Sequence, residues 1–127
     1  MNGTNIVFDT CAVIKLLNRQ YDLLTLGIDV DDARLLTSVI VRMELLAKPN
    51  LPANEERTIL EFLNDLTIVP LDDAVERKAV EIRRAASTKL PDSIVAATAV
   101  VLNAVLLTDD DHLLKLSWPG LTTLNIA

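Results

Sequence analysis

The chain has 127 residues, half of them apolar, and its 12 basic and 18 acidic side chains leave a formal charge of −6. One domain of this length buries roughly two thirds of the surface its unfolded form exposes, enough for a core that needs no disulfide or metal staple, and so apolar a chain is not disordered. Net acidity repels phosphate backbones at long range, and the aromatics Phe8, Tyr21, Phe62 and Trp118 are too dispersed to stack bases, which argues against an OB-fold or RRM.

The opening residues, MNGTNIVFDT, lack the basic start and apolar stretch of a secretory signal. Asn5 to Phe8 reads as a first buried strand, and Thr10 to about Arg19 as a helix with Val13, Leu16 and Leu17 in its apolar stripe. Cys11, the single cysteine, excludes an internal disulfide and a Cys-based zinc site, and fits a reducing, cytoplasmic setting. Asp22 to Asp32 reads as a surface connection. Leu35 to Ser38 is a second strand and Val39 to about Lys48 a helix, stopped by Pro49. Pro52 opens the next helix, with Ile59, Leu60 and Leu63 expected to face the core, before a third strand from Thr67 to Val69. Asp72 or Asp73 caps a long amphipathic helix that sets Val75, Ala79, Ile82 and Ala86 on one side. Pro91 starts a helix to about Asn103 that is apolar on most faces and therefore central. Val105 to Thr108 is a fourth strand, the triple aspartate starts a short helix, and Thr122 to Ile126 is a fifth strand at the edge. The longest nearly apolar run, Ile94 to Leu107, has 14 residues, too few to span a bilayer, so no membrane association is expected.

Short strands alternating with helices require crossover connections and cover on both faces. The expected fold is therefore α/β, a three-layer α/β/α sandwich around a central parallel sheet of four to five strands, with residues 1–127 as a single domain. Ligands in such folds bind outside the carboxyl ends of the strands. Asp9 stands at the end of the first strand, and Asp109, Asp110 and Asp111 at the end of the fourth. Asp92 opens the central helix, and Glu44 shares a helical face with Ile40, Met43 and Ala47, which implies a carboxylate in an apolar stripe. Each acid also has an ordinary structural explanation: helix capping for Asp9 and the aspartate triplet, the helix dipole for Asp92, an ion pair with Arg42 or Arg83 for Glu44. Gathered on one rim they are harder to explain that way. A pair of carboxylates about 4 Å apart repels by roughly 4 kcal/mol at an effective dielectric near 20, so something must neutralise the group. An all-oxygen ligand set selects Mg²⁺ or Mn²⁺ over Zn²⁺, and such an ion activates water and stabilises developing oxyanions, which points to metal-assisted hydrolysis of a phosphoryl ester.

The segments IVFDTCAVIKLL, TSVIVRMELLAKP, KLPDSIVAATAVVLNAVLLT and TDDDHLLKL, in this order and spacing, resemble the PIN-domain nucleases, and among them the VapC-type toxins of VapBC toxin–antitoxin pairs. The resemblance covers nearly the whole chain and implies a PIN-like nuclease domain. It implies that Asp9, Glu44, Asp92 and Asp110 are the catalytic, metal-binding acids, with Asp109 as the alternative for the last, and that Thr10 and Thr108 support the site. It further implies cleavage of single-stranded or loop RNA with Mg²⁺ or Mn²⁺, a homodimer, and a cognate antitoxin. The family often carries Asn where this chain has Cys11, which puts polar support from that position in question. His112, the only histidine, is expected to be a surface or capping residue.

Arg83, Arg84 and Lys89 form the strongest basic cluster and precede Asp92; with Arg42, and further off Lys15, they are the candidates for RNA phosphate contact. Two rival readings are a receiver-like phosphoacceptor domain and a non-catalytic module that keeps the PIN fold for binding or dimerisation. The first lacks a Lys directly after the fourth strand and leaves Glu44 unexplained; the second is not decided by the presence of the acids.

Overall fold

A computed structural model describes residues 4–127. Its strands are β1 (Thr4–Phe8), β2 (Ala33–Ser38), β3 (Thr67–Val69), β4 (Val105–Thr108) and β5 (Thr122–Asn125), and its helices are α1 (Thr10–Leu17), α2 (Val39–Leu46), α3 (Ala53–Asn64), α4 (Asp73–Ala86), α5 (Leu90–Val101) and α6 (Asp111–Leu114). All strand pairs are parallel, in the order β3-β2-β1-β4-β5. From β1 the chain moves outward through β2 to β3, then returns across the sheet to β4 and on to β5. Because crossovers between parallel strands are right-handed as a rule, the reversal of direction between the two legs puts the connecting helices on opposite faces, the arrangement of a three-layer α/β/α sandwich. Strand order reverses at β1, so the carboxyl ends of β1, β2 and β4 flank the switch point where ligands bind in such sheets.

β1 is central because both faces of its carboxyl half are apolar: Val7 and Phe8 have no exposed surface. Phe8 meets Phe62 of α3 edge to face, with centroids 5.9 Å apart. On the other leg, every residue of α5 from Ser93 to Ala99 is buried, and its alanines at 96, 97 and 99 permit close approach to neighbouring elements. A helix apolar all round must be covered all round, and α5 contacts α4, α2 and strands β1, β2 and β4.

The expected elements are present, most with ends shifted by one or two residues, and some expectations differ in ways that bear on packing. α1 ends at Leu17, because Arg19 has a φ of 56° that no right-handed helix accommodates. Leu60 is 42% exposed and Ala86 is exposed, so neither lies in the core. The inner stripe of α3 is carried by Leu63 with help from Ile59 and Phe62, while Ala86 is the last residue of α4, next to Ser87, which ends the helix in the left-handed region. No helix among the described residues is long and apolar enough to cross a membrane.

Candidate active site

The register Phe8↔Leu107 sets the next residue of each strand side by side, which fixes Asp9 against Thr108. The backbone N–H of Asp9 donates to the Leu107 carbonyl at 3.1 Å, continuing the ladder one residue beyond β1. Asp9 is only 8% exposed, so both carboxylate oxygens need donors. Oδ1 accepts from the Thr10 backbone N–H at 2.8 Å, which caps α1. Oδ2 accepts from the Thr108 hydroxyl at 2.8 Å and from the Cys11 thiol at 3.4 Å. Burial raises the Asp9 pKa above the usual carboxylate value; these hydrogen bonds oppose the shift, and the charge of Asp110 adds to it.

Thr108 is fully buried and works in two directions: its hydroxyl donates to Asp9 and accepts the backbone N–H of Asp110 at 3.0 Å. Asp110 is the N-cap of α6. Its Oδ1 accepts from the backbone N–H groups of His112 and Leu113 at 2.8 and 3.1 Å, and its Oδ2 has no protein hydrogen bond among the described residues. Asp109 behaves differently. Its Oδ2 is ion-paired with the Lys15 ammonium of α1, which lowers its pKa. The neighbouring aspartates thus divide: Asp109 is engaged by Lys15, whereas Asp110 is coupled by charge to both Asp9 and Asp92.

Asp92 lies in the first turn of α5, half-buried. Its pKa is raised by burial first and then by the negative charges of Asp110, Asp9 and Glu44, with Lys89 acting in the opposite sense. All four sequence-predicted acids therefore share one electrostatic neighbourhood on the carboxyl rim of the sheet. Among the described residues, no three His, Cys, Asp or Glu side chains are gathered tightly enough to hold a metal ion as they stand.

Glu44 corrects one expectation. It is exposed, and its neighbours Met43 (58% exposed) and Ala47 are exposed too, so of the expected stripe only Ile40 packs against the core; Val41 and Leu45 form the buried face of α2. Its partner is not an arginine: Glu44 Oε1 accepts from the Thr10 hydroxyl at 2.8 Å. Because Thr10 follows Asp9, that bond ties the β1 and β2 sides of the rim together.

Cys11 was the position of questioned polar support. Burial pushes its thiol pKa up to about 12, so it stays protonated and serves as a donor to Asp9. The basic residues separate by role. The Arg83 guanidinium donates to the Thr88 carbonyl in the turn between α4 and α5, while Arg42, Arg84 and Lys89 are exposed and form no salt bridge within 4 Å among the described residues. Asp72 caps α4 behind the edge strand β3, with its Oδ1 taken by the Val75 N–H at 2.9 Å, so it is not the central-strand acceptor that a receiver-like domain requires. Sequence reasoning missed the thiol–carboxylate contact and the Lys15–Asp109 pair. Lys15 stands one helical turn after Cys11, a spacing that placed it on the site's side of α1 but could not name its partner.

The sequence model of the PIN domain matches residues 6–119. No curated protein matches the chain in sequence. Among solved structures, it is similar to VapBC2 from Rickettsia felis bound to a promoter DNA fragment, with 20% identity, TM-score 0.81, and coverage of 96% of this chain and 98% of that one. It is also similar to DNA-bound VapBC from Salmonella typhimurium, with 17% identity, TM-score 0.81 and coverage of 98% and 99%. A toxin–antitoxin complex from Klebsiella pneumoniae matches with 25% identity, TM-score 0.73 and coverage of 93% and 96%.

Proposed function

The chain belongs to the PIN-domain family, and from that premise we propose that it is a divalent-metal-dependent endoribonuclease, the cytoplasmic toxin of a toxin–antitoxin pair. The observation that carries this reading is the coupling of Asp92 to Asp110, Asp9 and Glu44 on one rim. The donor chemistry fits a hard cation. It offers carboxylate oxygens, while the thiol beside them is a soft donor already engaged with Asp9 and does not suit such an ion. Mg²⁺ or Mn²⁺, bound by these acids, would supply Lewis-acid polarisation of the phosphodiester and activation of water.

The chain's own residues hold the acids for that task. Thr108 and Cys11 fix Asp9 Oδ2, the Thr10 N–H fixes Oδ1, and the Thr10 hydroxyl orients Glu44. Asp110 is steered by the first turn of α6, which engages Oδ1 and leaves Oδ2 without a protein partner among the described residues. Asp92 sits at a half-buried helix start, ready to bind or to orient water. The proposed metal-assisted hydrolysis does not use the ribose 2′-hydroxyl as nucleophile, so the products are expected to carry 5′-phosphate and 3′-hydroxyl ends.

A cognate antitoxin fits the same reading. A groove of about 420 Å³ between α1, α2 and α3, lined by Ile14, Leu17, Leu45 and Ile59, runs beside Glu44 and suits an apolar segment of such a partner. The toxin itself is proposed to act as a homodimer, to be checked by sedimentation. The decisive experiment incubates purified protein with total RNA in Mg²⁺ and in EDTA, beside the Asp92→Asn variant. Cleavage only by the wild type in Mg²⁺ supports the reading. Cleavage that survives EDTA and the substitution, or products with 2′,3′-cyclic phosphate, would overturn it.

A further inference from the structure

On the α6 side of Asp92 the surface opens into a cavity of about 470 Å³, within the roughly 300–1,000 Å³ typical of small-ligand sites. One wall is the turn from Ser87 to Lys89; the other is His112, Lys115 and Leu116, at and just beyond α6. Asp92 is the only acidic residue in the lining. In a chain of formal charge −6, this is a local reversal of sign: Lys89 and Lys115 are exposed, and neither forms a salt bridge within 4 Å among the described residues.

The turn that forms the first wall is braced from behind. Ser87 sits at a φ of 55°, the Arg83 guanidinium holds the Thr88 carbonyl, and the Thr88 hydroxyl hydrogen-bonds the buried Ser93 hydroxyl at 2.6 Å. Arg83 is thus spent on shaping the turn that presents Lys89. The groove on the opposite side, beside Glu44, has the reverse character. It is largely apolar, and its Lys48 lies 3.9 Å from Glu55. Phosphodiesters are attracted to unpaired ammonium groups and repelled by carboxylates, so the two sides of the acidic rim are not equivalent routes for a nucleic-acid strand.

We propose that the cavity between the α4–α5 turn and α6 is a subsite for the single-stranded RNA segment flanking the cleaved bond, with Lys89 and Lys115 receiving a backbone phosphate and Leu116 offering an apolar surface to a base. This rests on the ribonuclease reading and adds to it a direction: the strand leaves the acids past Asp92 toward α6, not over Glu44 toward α2.

The test joins a kinetic and a binding measurement. In Mg²⁺, with a short single-stranded RNA, Lys89→Ala and Lys115→Ala should each raise KM about tenfold, the worth of one charge-assisted contact, while kcat changes less than about twofold. Each should also reduce the slope of log affinity against log salt by about 0.7, and Lys115→Arg should restore both. Separately, an NMR titration of Asp9→Asn protein with a five-nucleotide RNA in Mg²⁺ should move the amides of residues 86–89 and 112–117. Unchanged KM and salt slope in both alanine variants, or amide shifts confined to residues 14–18 and 44–59, would overturn the subsite. If the wild type cleaves RNA and the lysine variants match it, the subsite fails and the nuclease stands. If the wild type cleaves nothing while the amides beside the cavity still shift, the nuclease reading fails and the RNA subsite stands.

Discussion

The rim has two unlike halves. On the β1–β4 side Asp9 is buried and both of its oxygens are occupied by donors. On the α2 side Glu44 is exposed and held by a single hydroxyl. The contrast teaches that charge identity and positional precision are supplied by different means. A carboxylate on a sheet end is fixed by the register of the strands, whereas one on an outward helix face is fixed by whichever neighbour reaches it, and its orientation is correspondingly cheap to lose.

The sharpest break in this comparison should come from Asp9→Asn. It keeps shape but removes a charge from the rigid half, and RNA cleavage should fall by more than the roughly 10–100-fold that outer-shell partners cost. The fold should survive. Burial holds the Asp9 pKa above its unfolded value, so the ionised form is disfavoured in the folded chain. The resulting instability is present above the folded pKa and disappears as pH falls below the unfolded value of 3.8; thermal melts should therefore show the wild type gaining stability relative to the variant as pH falls from neutral.

Next in size is Thr108→Val, which deletes the hydroxyl shared by Asp9 and the Asp110 N–H. Stability should drop by about 1–3 kcal/mol, because buried partners lose a hydrogen bond, and cleavage should drop by about 10–100-fold. Chemical denaturation and initial rates measure the two losses; an unaltered rate would show that the rigidity of Asp9 is not needed. Thr10→Val should be milder. Glu44 and the Thr10 hydroxyl are accessible to solvent, so stability should move by no more than about 0.5 kcal/mol while activity declines several-fold.

The smallest effect is expected at the Lys15–Asp109 pair. The folded pKa of Asp109 is depressed, so its contribution to stability is present above the unfolded value of 3.8 and is lost as pH falls through the folded value. Asp109→Asn should therefore flatten the acid limb of the stability curve slightly and leave neutral-pH cleavage near wild type. A collapse of cleavage would transfer to Asp109 the role proposed for Asp110.

Much of this architecture could be read along the chain because strand ends and helix starts carry local signals. Apolar runs closed by Asp9 and by the aspartate triplet located the rim, and Pro91 located the start of α5. What could not be read was orientation. In α2 apolar residues occur all round the helix, so periodicity alone did not show that Val41 and Leu45 face inward while Met43 and Glu44 face out. Leu60 was misplaced beside Ile59 for a similar reason, whereas Ala86 continues the α4 stripe but is the last residue of the helix and is left exposed. Nor does any local pattern pair Lys15 with Asp109, residues 94 apart, or Thr108 with Asp9; such contacts exist only once β1 and β4 are registered, whereas the Cys11 thiol reaches Asp9 across a single residue and depends only on the local turn into α1.

That registration also sets a clock. Asp9 and the hydroxyl that fixes it are separated by 99 positions. At roughly 5–20 residues per second of synthesis, the first acid waits about 5–20 s for its partner to leave the ribosome. Until β4 pairs with β1, Asp9 and Asp110 have no common rim. Nascent chains arrested before Val105 should thus be silent toward RNA in the presence of Mg²⁺, so a ribosome making this protein would be spared its chemistry until synthesis is nearly finished.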